Sequence, residues 1–405
     1  MTLVRRMVVV APAVALAAAT GCATPQAVPA LPATASTPPP ATTAPSPPPP
    51  TPPASVTPPP SPAITMPSPS TAVAPSRTPP PDPARAKLDE ARALVGRGDM
   101  AGAVPLLRQA LRLAPDLAEA RATLGLALYA MGDLDAAVDE LRGLLRARPD
   151  LAEARLTLAA ALVARQEWPA ARAELEEALR RQPDLVQAQY TLGVVRYAQG
   201  DLAGAIDAYR AVLAREPAAH DARYNLALVL KLARRDAEAA PELLTAAEAG
   251  LARAQYFAGA AYATGAGVER DLVLAITWWT RAAEQGVAQA DEALAQLRQT
   301  ASGRNRRAPA ERQAIEQAFA EYRARIATEY ADVPREGDEP VGAALLRQGR
   351  APEAVAVLIR EASALSEPAQ RLLETLSEQG INDARVPAYL KSAAAEGRLR
   401  PRPRP

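Results

Sequence analysis

Few side chains in this 405-residue chain could carry covalent or metal chemistry, and two counts bound what they can do. There is one cysteine, Cys22, and one histidine, His220. A disulfide within the chain needs two thiols, so cross-links add nothing to the fold. A Cys/His zinc set is out of reach for the same reason. Catalysis through an imidazole would run entirely through His220, which follows Pro217 closely and has no partner motif beside it. A capping or surface role is expected there. Carboxylates are plentiful, but they fall at helix-surface spacings beside arginine, as Glu174, Glu176 and Glu177 do near Arg180 and Arg181. That pattern describes a solvated helix face. No catalytic residue, metal, cofactor or small-molecule substrate is expected. A net charge of +1 supplies no general field for nucleic acid, and none is expected as a partner.

The chemistry left to Cys22 is modification. Arg5 and Arg6 precede an apolar run from Met7 to Ala19, and Ala19-Thr20-Gly21-Cys22 closes it with small residues. This is the layout of a secretory signal over 1–21. The run is shorter than the roughly 20 residues that span a bilayer. The Thr20-Gly21-Cys22 junction resembles the lipobox of bacterial lipoproteins, although Ala19 stands where that family usually has Leu. The resemblance implies lipidation of Cys22 and anchorage to membrane through the N-terminal lipid. Ala23 in place of Asp implies, by the same resemblance, the outer membrane facing the periplasm. An ordinary secretory signal with an incidental cysteine is the alternative.

Behind the anchor comes a tether, 22–83. Of the 41 prolines, 24 lie between Thr24 and Pro83, including Pro38-Pro39-Pro40, Pro47 to Pro50 and Pro58-Pro59-Pro60. Proline fixes φ and removes a donor, so neither helix nor sheet is expected; the segment is read as disordered and extended. At about 3.1 Å per residue it would reach roughly 190 Å if fully extended. Spacing is its expected role, with glycosylation at Ser/Thr beside Pro and binding to SH3-like domains as further options.

The remaining sequence is rich in Ala, Leu, Arg and Glu, and aromatics make up only 4% of the chain, which points to an all-α fold of closely packed helices. Self-comparison sharpens this. Pro115, Pro149, Pro183 and Pro217 are spaced by 34 residues, and so are Ala103, Ala137, Ala171 and Ala205. Gly98-Asp99, Gly132-Asp133 and Gly200-Asp201 keep the period, with Gln166-Glu167 at the third position. Leu124-Gly125, Leu158-Ala159 and Leu192-Gly193 complete it. Gly suits a helix C-cap, Asp the turn inside the unit, and Pro the start of the turn that leads to the next unit.

The pattern resembles the tetratricopeptide repeat, with four copies at 84–117, 118–151, 152–185 and 186–219. A fifth unit starts at His220 and changes type over 220–300. Ala246-Ala247-Glu248-Ala249-Gly250 recurs as Ala282-Ala283-Glu284-Gln285-Gly286, and Gly265, Gly267, Asp271 and Trp278 lie between them. This resembles a Sel1-like repeat, with Asp271 placed to cap a helix. The Trp278-Trp279 pair reads better as interhelical packing than as a ligand platform. A basic linker is expected at 301–312. C-terminal helices follow at 313–396, with Ile315, Phe319, Tyr322 and Ile326 on one face and an echo of the repeat turn at 349–354. A disordered Arg/Pro tail is expected at 397–405. The fold expected is an α-solenoid of stacked helical hairpins.

In the family resembled, first helices line a concave groove. The implied groove residues are Leu88, Leu126, Tyr129, Leu156, Val163, Tyr190, Val194, Tyr197, Tyr224, Leu228 and Lys231. Aromatic packing between helices is an equal alternative for the tyrosines. The family's carboxylate clamp needs Asn at ninth positions, and none stands there. The function expected is a membrane-anchored scaffold binding protein partners as extended or helical segments. It would serve pilus or secretion-channel assembly, polysaccharide export or wall-enzyme recruitment. A membrane-to-wall tether is the second reading and a wall hydrolase the third.

Overall fold

A 34-residue unit with one largely apolar and one amphipathic stretch is stable as a helical hairpin stacked on its neighbours. A computed structural model of the protein describes residues 82–301, 309–381, 383–396 and 398–399. The expected signal sequence, Cys22, the tether up to residue 81, the linker at 302–308 and residues 400–405 of the tail lie outside them. The described residues form 18 helices and no strand.

The first five hairpins are α1 (Pro83–Gly96) with α2 (Met100–Leu113), α3 (Ala118–Met131) with α4 (Leu134–Ala147), α5 (Ala152–Ala164) with α6 (Trp168–Arg181), α7 (Val186–Ala198) with α8 (Leu202–Arg215), and α9 (His220–Leu232) with α10 (Asp236–Glu248). The sixth pairs α11 (Ala252–Thr264) with α12 (Leu272–Glu284). Beyond it lie α13 (Ala288–Ala301), α14 (Pro309–Glu329), α15 (Val341–Arg347), α16 (Ala351–Ser363), α17 (Glu367–Glu378) and α18 (Arg385–Ala395). No helix among the described residues is long and apolar enough to cross a membrane.

The turn inside each hairpin explains the recurring Gly-Asp. The chain takes a left-handed residue at Gly98, Gly132, Gln166, Gly200 and Arg234, with φ of 83, 81, 61, 80 and 60°. Asp then caps the second helix: Gly102 N–H donates to Asp99 Oδ1 at 2.8 Å, and Gly204 N–H to Asp201 Oδ1 at 2.8 Å. Asp271 does the same for α12, accepting from Leu274 N–H at 2.9 Å.

Close approach of the paired helices explains the small residue after Leu. A Cβ built on Gly125 would lie 2.5 Å from Leu141 Cγ, and one on Gly193 2.8 Å from Tyr209 Cε1. The α15–α16 pair has the same contact between Gly342 and Leu358, with a left-handed Gly349 between the helices. Ile315, Phe319, Tyr322 and Ile326 of α14 are all buried, in one core with Trp279, Val341 and Val357.

Polar side chains tie successive elements. Arg155 spans its hairpin, donating to Glu174 at 2.6 Å and to the Pro149 carbonyl at 3.1 Å. Arg223 repeats this with Glu242 and the Pro217 carbonyl, and Arg121 with Glu140 and the Pro115 carbonyl. At the far end Arg298 of α13 meets Glu396, just beyond α18.

Candidate functional site

Stacking the hairpins places their first helices, α1, α3, α5, α7 and α9, side by side. An open groove of about 1180 Å³ runs over the first three. Short side chains make its walls: Ala118 and Ala122 from α3, and Ala152, Ala154 and Thr157 from α5. Val95 and Leu126 give it an apolar floor. The rim is polar and comes partly from the inter-repeat turns, as Arg92, Glu119, Arg148, Asp150, Arg181 and Gln182. Arg92 pairs with Glu119 at 3.0 Å and Arg148 with Asp150 at 3.1 Å.

Of the residues placed in the groove from sequence, Leu88, Leu126, Tyr129, Leu156, Val163, Tyr190 and Val194 are buried between helices. Leu126 is the one that reaches the open groove. Tyr197, Tyr224, Leu228 and Lys231 are half-buried and keep contact with solvent. Tyr190 and Tyr224 have defined partners, whereas Tyr129 Oη is buried without a hydrogen-bond partner. Tyr190 Oη accepts from Asn225 Nδ2 at 2.8 Å, and its ring meets Tyr209 edge-on at 5.8 Å. Tyr224 lies 6.1 Å from Phe257. Burial pushes the phenols of Tyr190 and Tyr224 up to about 12. Lys231 pairs with Asp236 at 3.6 Å.

Sequence reasoning missed Arg148, Arg181 and Gln182. Arg148 and Gln182 each stand immediately before a repeat-ending proline, Pro149 and Pro183, so the 34-residue period itself could have drawn attention to them.

His220 is the first residue of α9, and its Nδ1 is buried without a hydrogen-bond partner. Among the described residues no group of His, Cys, Asp and Glu could hold a metal ion. Trp279 is buried beside Gly259 and donates Nε1–H to the Tyr256 carbonyl at 3.0 Å; Trp278 is buried beneath the Arg281 guanidinium.

Hairpins stacked in this way, with an open face on their first helices, define a helical-repeat protein. Family models make the class specific. Tetratricopeptide-repeat models match residues 94–152, 156–214 and 190–256, and the Sel1-repeat model matches 252–287. Residues 94–256 thus carry tetratricopeptide repeats, continued by a Sel1 repeat at 252–287, and repeats of this kind support a protein-interaction scaffold. The tetratricopeptide period extends through the fifth hairpin, and the Sel1 unit is the sixth.

Solved structures are similar to part of this chain. MamA 41-end from Desulfovibrio magneticus RS-1 is 22% identical, with a TM-score of 0.40 over 41% of this chain and 94% of that one. A second MamA structure is 24% identical, with a TM-score of 0.39 over 43% and 96%. YrrB, described as a TPR protein with an unusual peptide-binding site, is 22% identical, with a TM-score of 0.36 over 40% and 84%. No curated protein matches the chain significantly.

Proposed function

We propose that the protein is a membrane-anchored scaffold of the bacterial envelope that captures protein segments along the face of its first helices. The observation that carries this reading is the open, alanine-walled groove over α1, α3 and α5, which leaves room for an extended or helical segment. Tyr197, Tyr224, Leu228 and Lys231 continue the same face further along and supply amphipathic contact area. In this reading Cys22 carries the lipid, the segment at 22–83 sets the distance from the outer membrane, and the repeats face the periplasm. The chain acts by assembling envelope machinery, in pilus or secretion-channel biogenesis, polysaccharide export or wall-enzyme recruitment, and not by catalysis.

The test is cross-linking in the cell through a photoreactive residue at Ala122 or Leu228. Capture of the same protein from both positions supports the reading, and the absence of any captured protein from either position defeats it. Cys22→Ser is expected to move the chain from the membrane to the soluble fraction. Retention on the membrane would refute the lipid anchor.

A further inference from the structure

The groove over the first three repeats favours an uncharged occupant. Its rim balances Arg92, Arg148 and Arg181 against Glu119, Asp150 and Glu153; Arg92 pairs with Glu119, Arg148 with Asp150 and Arg181 with Glu177, and a charged ligand would compete with those pairs. The rim still offers donors. A guanidinium carries five N–H groups, more than one carboxylate can use, and the Gln182 amide adds two more. An occupant with many carbonyl acceptors, few N–H donors and small side chains fits such a surface.

One segment of this chain has that chemistry. From Thr24 to Ser76 there is no charged residue, and the sequence is almost wholly Pro, Ala, Thr and Ser. Each proline keeps its carbonyl and lacks an N–H. The extended helix that such sequences favour is already ordered before it docks, so little chain entropy is lost on binding. The segment also enters the fold on a helix that lines the groove. It leads into α1 at Pro83, and α1 supplies Arg92 and Val95 to the groove, about 14 Å further along at 1.5 Å per residue. The 33 residues between Pro50 and Pro83 could span roughly 100 Å at about 3.1 Å each, so reach is no obstacle. Because the segment is tethered, docking is intramolecular, at an effective concentration set by the length and stiffness of the linker.

We infer that the proline-rich segment between Thr24 and Pro81, around Pro47 to Pro50, docks in the groove of its own chain and is displaced by a protein partner. The inference rests on reading the groove as the protein-binding surface. It makes the tether a retractable arm, short when the groove is empty of partner and long when a partner occupies it.

The test uses the full chain with Cys22→Ser and nitroxide labels on Ser46→Cys and Arg97→Cys, read by electron–electron double resonance. A short, narrow distance population is expected, and it should persist when labelled chain is diluted tenfold with unlabelled chain. Ala122→Arg should remove it, and so should replacement of Pro47 to Pro50 by Gly and Ser, a change that leaves the repeats untouched. A single broad distribution in the starting chain overturns the inference. So does a short population that survives both substitutions, or one that disappears on dilution and therefore belongs to contact between copies. Cross-linking at Ala122 separates the two readings. If a partner is captured and the short population is absent, the docked arm falls while the binding groove stands. If no partner is captured even after Pro47 to Pro50 are replaced, the groove reading falls.

Discussion

The carboxylate of Glu396 accepts Nε–H and Nη–H of Arg298 at 2.8 Å each, joining positions 98 residues apart. Arg398 donates to the same carboxylate at 2.9 Å and to Tyr389 Oη at 2.7 Å. This cluster fastens the last helix to α13. Both Arg298 and Glu396 are almost fully buried, so removal of one partner leaves the other charged and poorly solvated. Glu396→Gln is expected to destabilise the C-terminal helices by about 2–3 kcal/mol. The loss should appear as faster amide exchange in α18.

The same cluster predicts a pH dependence. Burial pushes the Glu396 carboxyl up, but the bonds from Arg298 and Arg398 outweigh burial and hold it at about 2. A carboxyl depressed below its unfolded value, ordinarily about 4.3, contributes stability that is present at neutral pH. That contribution is lost as pH falls from about 4 towards 2. Asp291, raised by burial and facing Arg298 and Glu396, works in the opposite direction and protonates more readily in the fold. Acid unfolding of α18 between pH 4 and 2 is therefore expected in the native chain, and Glu396→Gln should flatten that part of the profile. An unchanged profile would remove Glu396 as the titrating group.

The Arg155 clasp predicts a coupling. Arg155 bonds Glu174 and the Pro149 carbonyl, and the arrangement recurs at Arg223 and Arg121. The fourth repeat has Gln189 and Ala208 at the corresponding positions. Arg155→Ala should cost about 1–2 kcal/mol, because a half-buried carboxylate and a carbonyl both lose a charged donor. A double-mutant cycle with Glu174→Ala should return a coupling of about 1 kcal/mol, more than an exposed surface pair gives. Additive effects would show that the clasp is incidental.

Much of this architecture is legible from the chain because a repeat states its packing several times. Pro115 to Pro217, the Gly-Asp turns and the Leu-Gly pairs fix hairpin boundaries without reference to distant contacts. The groove is less legible. Position within a repeat places Tyr190 and Val194 on the first helix, but their burial depends on how closely the next hairpin packs, and the Tyr190–Asn225 bond spans two repeats. The open part lies over repeats whose walls are alanine, and it is visible only as what the small side chains leave empty. The Arg298–Glu396 pair has no local signature at all, since neither residue's neighbours in sequence point to the other.

Among the described residues Gln166, Arg234 and Leu365 are the non-glycine residues with positive φ, and the first two sit in hairpin turns where substitution can relieve strain. Gln166 and Arg234 take positive φ, 61 and 60°, at the position where Gly98, Gly132 and Gly200 stand in the other hairpins. A left-handed conformation costs an L-residue with a Cβ roughly 1 kcal/mol or more, against which glycine's greater unfolded-state freedom is offset. Gln166→Gly and Arg234→Gly are each expected to raise stability by about 0.5–1 kcal/mol in urea unfolding. A loss of stability in both would mean that side-chain contacts at the turn outweigh the backbone term.

The fourth hairpin supplies a test of packing. Tyr209 occupies the position that is Leu107, Leu141, Leu175 and Leu243 in the other hairpins, and it lies fully buried against Gly193. A Cβ on Gly193 would lie 2.8 Å from the Tyr209 ring, so Gly193→Ala forces the helices apart and should cost about 1–3 kcal/mol. The third hairpin combines Ala159 with Leu175 at the same two positions, both buried, so a smaller ring-free side chain accommodates the methyl group. Tyr209→Leu added to Gly193→Ala should therefore recover part of the loss. Tyr209 Oη is buried without a hydrogen-bond partner, while Asn225 donates to Tyr190 instead. Tyr209→Phe removes that orphaned hydroxyl and keeps the ring, and it should leave stability unchanged or raise it by up to about 1 kcal/mol. A clear loss on Tyr209→Phe would show that the hydroxyl has a partner in solution, adding a polar contact to the Asn225–Tyr190 and Arg210–Glu238 bonds that already join the fourth hairpin to the fifth.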